Sequence, residues 1–258
     1  MRHPAAHQTA GADAAAVRTR FTDPLITGPA RRARAVTGVL GGRFSAELGI
    51  DVDAGEAEVE RWFLAATLFG TRISAKVAEG AFSVLNEAGL TRIGQARHVP
   101  SEDLIELLDA GGYARYDFRT TSRLQALAEI IDERYEGQTA EIGRRYQAYP
   151  ALRTALIALP GWGPVTVQLF LRELRGVWPG AQPPLDPRAA FAARHLGFPG
   201  TEPVALPQVA RLAAAAGLDI RDLESGLVRL ALAHRRTAPS CPGGDQCAVL
   251  NAHAAGRR

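Results

Sequence analysis

Apolar residues recur at helical spacing along most of this chain, and they predict a set of packed amphipathic helices. Trp62, Phe63, Leu64 and Leu68 give a wide apolar face to a helix over Glu56–Leu68, and Ile73 to Leu85 repeats the pattern after Gly70-Thr71. Leu104, Ile105, Leu107 and Leu108 mark a further helix, capped by Ser101-Glu102-Asp103 and stopped by Gly111-Gly112. Leu124, Leu127, Ile130 and Ile131 mark a longer one from about Phe118 to Tyr135. Pro150 and Pro164 stand where proline is tolerated, at the opening of two more. A first helix is expected over 29–48 and later ones over 187–196, 206–216 and 220–234, with loops at 176–187 and 197–207 and an irregular tail after Arg236. Alternating β-branched runs are nearly absent, so the expected fold class is all-α.

Composition changes this picture little. A chain of 258 residues can bury a sizeable core, and a net charge of +3 permits a polyanion partner without demanding one. No apolar run is long enough to span a bilayer and the first twenty residues lack a secretory core, which predicts a cytoplasmic protein with no membrane partner. Of the 30 basic residues only Lys76 is lysine; the others are arginine. That leaves almost no choice of amine for Schiff-base chemistry. Two cysteines do not suggest a disulfide scaffold.

The residues that carry chemistry begin at Leu159-Pro160-Gly161-Trp162-Gly163-Pro164-Val165-Thr166, with Asp186 downstream. Leu-Pro-Gly-x-Gly closes a tight turn between two helices. Its glycines let another chain approach, and the unpaired N–H groups opening the next helix suit a phosphate. With amphipathic flanks on both sides, this segment resembles the helix-hairpin-helix of the HhH-GPD DNA glycosylases, the superfamily of endonuclease III. The resemblance runs from about Glu56 to the C-terminus. Phe63 to Ser74 looks like the family's second helix and DNA-inserting loop, and Gly112-Tyr113 through Leu124 is similar to its Gly-x-Tyr segment.

The resemblance implies a two-lobed helical fold with duplex DNA between the lobes. A barrel-like lobe over 55–165 would end in the hairpin, and 26–54 plus 166–258 would form a second lobe from both ends of the chain. Residues 1–25 read as a disordered arm. Leu159, Pro160, Gly161, Trp162, Gly163 and Thr166 are the candidate DNA-binding hairpin, and Trp162 is equally readable as packing between its own helices. Phe69 falls where the family carries its intercalating residue, as a candidate wedge or an ordinary core phenylalanine. Arg31, Arg32, Arg34, Arg144, Arg145, Arg235 and Arg236 are either phosphate contacts or solvated helix faces.

Asp186, before Pro187-Arg188, suits a helix N-cap and also falls at the family's catalytic aspartate, although Pro-Arg replaces the usual Thr-His. Val165 occupies the place of the Schiff-base lysine, so the resemblance implies a monofunctional enzyme that uses water. Cys241 and Cys247 keep the last spacing of the family's [4Fe-4S] ligands, but Ala231 and Ala238 stand at the first two, so no cluster is expected. The expectation is no cofactor and no metal, with two reduced, non-liganding thiols; a zinc site from Cys241, Cys247, His234 and His253 is the alternative. The protein expected is a monomeric, nucleoid-associated base-excision glycosylase acting on double-stranded DNA with a damaged or mismatched base. A catalytically inactive DNA-binding protein on that scaffold, or a helical protein-interaction module, remains open.

Overall fold

The computed structural model describes residues 28–70, 73–113, 117–198, 204–237 and 240–255. The N-terminal arm expected at 1–25 lies outside them. Among the described residues every regular element is helical. In chain order they are α1 (Pro29–Leu40), α2 (Phe44–Glu47), α3 (Glu56–Phe69), α4 (Ala75–Glu87), a 3-10 helix (Ile93–His98), α5 (Ser101–Ala110) and α6 (Asp117–Tyr135). There follow α7 (Ala140–Arg145), α8 (Tyr149–Ile157), α9 (Pro164–Glu173), α10 (Pro187–His195), α11 (Leu206–Ala216), α12 (Ile220–Thr237), a short 3-10 helix (Gly244–Gln246) and α13 (Ala248–Ala255). The all-α expectation holds. No described helix is long and apolar enough to cross a membrane.

The buried apolar residues fall into two clusters. One is built on large side chains of α3 to α9, including Trp62, Phe63, Leu124 and Phe170, and reaches from Ile50 to Ala181. The other joins α1 to α10–α13 through Ala33, Val36, Ala189, Ala193, Leu223 and Leu227. The resemblance implies a change of lobe at 165/166, while the buried residues of α9 pack with the first cluster. There Phe170 packs edge-on against Phe63, Trp162 and Trp178. Burying such a side chain contributes about 1.5–3 kcal/mol, which decides where the helix belongs.

The helix expected over 29–48 is broken. Gly41 takes a φ of 87°, which ends α1, and the chain turns into α2. Glu173 holds that second start: its carboxylate accepts the amides of Phe44 and Ser45, both at 2.9 Å. The tail expected to be irregular instead forms α13, whose Val249 and Leu250 enter the second cluster.

Candidate nucleic-acid interface

α8 ends at Ile157 and Pro164 opens α9; the residues between them make the turn. Trp162 donates its amide to the Leu159 carbonyl at 3.1 Å, and Gly161 sits at a φ of 77°, where a side chain is strained. The Arg123 side chain crosses directly over Gly161, and a Cβ there would collide with it.

The side chains divide sharply between inside and outside. Trp162 is 4% exposed, stacks on Phe63 at 4.4 Å between centroids and donates from its indole to Thr67 at 3.1 Å. Leu159 is buried too, and Thr166 packs against Gly70 at the end of α3. All three are among the candidate hairpin residues, and their side chains close the hairpin from within; for Trp162 this is the packing reading. What remains outward is Pro160, Gly161, Gly163, Pro164 and Val165, the last 61% exposed. Among the described residues the amides of Gly161, Gly163 and Val165 donate to no protein acceptor.

Asp186 caps α10, its carboxylate accepting the Arg188 amide at 2.8 Å. It is only 5% exposed. Three groups that no sequence pattern marks hold it. Its amide donates to Glu224 at 3.1 Å, and Glu224 is itself gripped by Arg175 at 3.1 and 3.2 Å. The buried Arg172 guanidinium lies 4.0 Å from its carboxylate, and Arg172 Nε has no hydrogen-bond partner. Burial pushes the Arg172 pKa down and that of its neighbour Glu173 up, with each opposing the other's shift. Arg172, Arg175 and Glu224 lie in stretches that read as ordinary amphipathic sequence, so periodicity carries no sign of their meeting. One further bond ties α9 to the segment before Asp186, where the Gln168 side chain donates from Nε2 to the Pro184 carbonyl at 2.8 Å.

Phe69 is half-buried, its ring edge-on to Phe44 at 5.5 Å, which is a packing contact; the adjoining Thr71 and Arg72 lie outside the described residues. Phe118, in the first turn of α6, is 70% exposed, and its neighbour Arg119 is exposed as well. Neither stands out in the sequence, because both fall among the polar, solvent-facing positions of an amphipathic helix.

The arginine runs are mostly spent within the protein. Arg32 pairs with Asp245 and Arg34 donates to the Ala216 carbonyl. Arg144 is bound by Glu141 and Glu56, and Arg145 by Glu141 and Glu136. The side chains of Arg235 and Arg236 lie outside the described residues. A groove of about 500 Å³ is lined by Tyr135, Tyr146, Leu159 and Arg134, among others.

The cysteines are free, and they meet two imidazoles: His195, His234, Cys241 and Cys247 converge on one point. No spacing in the sequence marks His195, and the His253 side chain lies outside the described residues. This set does not fit a cluster held by four thiolates, since only two sulfurs are present and Ala231 is packed in the core. A scan against protein-family models and searches of curated proteins and of solved structures found no match to the chain.

Proposed function

We propose that this chain is a monofunctional DNA glycosylase of the helix-hairpin-helix kind, hydrolysing the N-glycosidic bond of a damaged base flipped out of duplex DNA. The observation that carries the reading is the outer edge of the hairpin. Three amides without protein acceptors stand at the positive end of α9, the arrangement that binds a phosphate. Arg119, one helical turn before the Arg123 that covers Gly161, adds an exposed cation on the same side of α6. Backbone contacts of this kind position a duplex and read no sequence.

The chemistry falls to Asp186. Cleaving the bond builds positive charge on the sugar, and a carboxylate beside C1′ stabilises that charge or takes the proton of the attacking water. Arg172, Glu224 and the Arg188 amide hold that carboxylate and its backbone in one place. Val165 offers no nucleophile, and Lys76 stands in the first turn of α4. Water is therefore the nucleophile and an intact abasic site the product, so borohydride traps no covalent complex.

One observation favours a second reading, a protein that binds DNA without excision: the burial of Asp186 leaves little room for a sugar. A panel of duplexes, each carrying one lesion, separates the two when wild type and Asp186→Asn are run together. The expected outcome is base release from at least one lesion, reduced by about 10²–10⁴-fold in the variant with DNA affinity kept. Binding without release on every lesion establishes the second reading, and no salt-dependent DNA binding removes both.

A further inference from the structure

Two stretches far apart in sequence meet beside the second cluster. His195 ends α10, His234 lies near the end of α12, and Cys241 and Cys247 bracket the short 3-10 helix before α13. One nitrogen or sulfur atom from each of the four lies within 4.8 Å of all the others. Cys247 Sγ and His234 Nε2 are 3.6 Å apart. Two such donors bound tetrahedrally to one zinc stand about 3.5 Å apart, from bond lengths of about 2.3 Å to sulfur and about 2.05 Å to nitrogen.

The surroundings prepare the donors. His234 Nδ1 lies 2.9 Å from the Leu230 carbonyl, which fixes the proton on that nitrogen and leaves the lone pair of Nε2 facing the sulfurs. His195 Nε2 is buried with no hydrogen-bond partner, a costly state unless something completes it. The two rings stand edge to face, 4.2 Å apart and inclined at 65°, so their nitrogens do not stack side by side. Between the cysteines, Gly243 takes a φ of 80° and presses on the His195 carbonyl, where a Cβ would collide. The loop is thereby seated on the end of α10.

We propose that His195, His234, Cys241 and Cys247 form a Cys2His2 site for a structural Zn²⁺ ion. Two thiolates and two neutral imidazoles balance the charge of the ion, which suits a largely buried location. Four protein ligands leave no open position, so the metal organises the fold and takes no part in hydrolysis. Its place has a reason: the second cluster is rich in alanine, with Ala33, Ala189, Ala192, Ala193, Ala213 and Ala216 buried. Such small side chains bury little area each, and a metal clip ties α10, α12 and the segment before α13 where packing alone is thin.

The test uses the full chain, expressed with zinc in the medium and purified without chelator or oxidant. Elemental analysis after gel filtration should find about one zinc per chain, and His195→Ala and Cys247→Ser should each lose most of it. Zinc removed and replaced by cobalt should give the visible bands of tetrahedral cobalt with a sulfur-to-cobalt charge-transfer band. His195→Ala removes a half-exposed ligand at a helix end, so its fold is checked by circular dichroism and its cobalt spectrum should weaken or shift. Folded wild-type protein that retains no zinc overturns the site, as does a His195→Ala variant with unchanged zinc content and cobalt spectrum. A Cys241–Cys247 disulfide in the protein as purified overturns it too. None of these readouts involves DNA, so the zinc site and the glycosylase reading stand or fall separately.

Discussion

At the scale of single residues, the surroundings of Asp186 are governed by buried charges that neutralise one another. Glu224 is fully buried; it accepts the Asp186 amide with one oxygen and Arg175 with the other. Removing one member of a buried pair leaves the other uncompensated, which costs about 3–5 kcal/mol, whereas replacing both by apolar groups of similar size is often near neutral. Glu224→Leu should therefore lower stability by about that amount in chemical denaturation, and Arg175→Met with Glu224→Leu should recover most of it. If Glu224 also positions Asp186, the double variant regains stability without regaining base release. Recovery of both would make Glu224 a purely structural residue.

At the scale of elements, the hairpin separates what the fold requires from what a ligand requires. Gly161 has a positive φ and Arg123 against its Cα, so Gly161→Ala should cost about 1–2 kcal/mol for the left-handed backbone alone. Gly163 has open space where a Cβ would stand and an ordinary φ of −109°, so the fold does not need glycine there. Gly163→Ala should leave the melting temperature within a degree or so while, on the proposed reading, weakening duplex binding several-fold, because the methyl would stand where a strand approaches. Undiminished binding by Gly163→Ala would remove this turn from the interface. The helices were largely legible in the sequence: the segments over Glu56–Leu68, Phe118–Tyr135, 187–196 and 206–216 follow from apolar spacing and proline placement. Asp186 as a cap was legible for the same local reason. What stayed hidden depends on contacts between distant segments. Phe44 and Ser45 start a new helix because Glu173 receives their amides, and α13 forms around Val249 and Leu250, too short a run to announce itself. His195 joins His234 and the cysteines by folding alone, and no spacing rule selects it.

At the scale of the whole molecule, an arginine fork joins the two clusters. Arg221, at the start of α12, grips Asp53 before α3 with two bonds of 2.8 Å and also binds Asp219 on its own segment. The Arg221 hydrogen bond is the main cause holding the Asp53 carboxyl below its usual range, opposed by partial burial and assisted by Arg43. Burial raises Asp219, but the bonds from Arg221 outweigh it and the net shift is downward. A carboxyl lowered in the folded state binds its proton less readily there than in the unfolded chain. Its stabilisation is therefore complete above the unfolded pKa of about 3.9 and is lost as pH falls through the lower folded value. Arg221→Met should lower the melting temperature at pH 7 and should also flatten its fall between about pH 5 and pH 3, because Asp53 and Asp219 then titrate nearer their unfolded values. Arg43 still touches Asp53 at 3.2 Å, so part of the slope should survive. The comparison is of two thermal-denaturation curves against pH: a smaller fall in the variant assigns the acid sensitivity to the fork between the two clusters, and parallel curves assign it elsewhere.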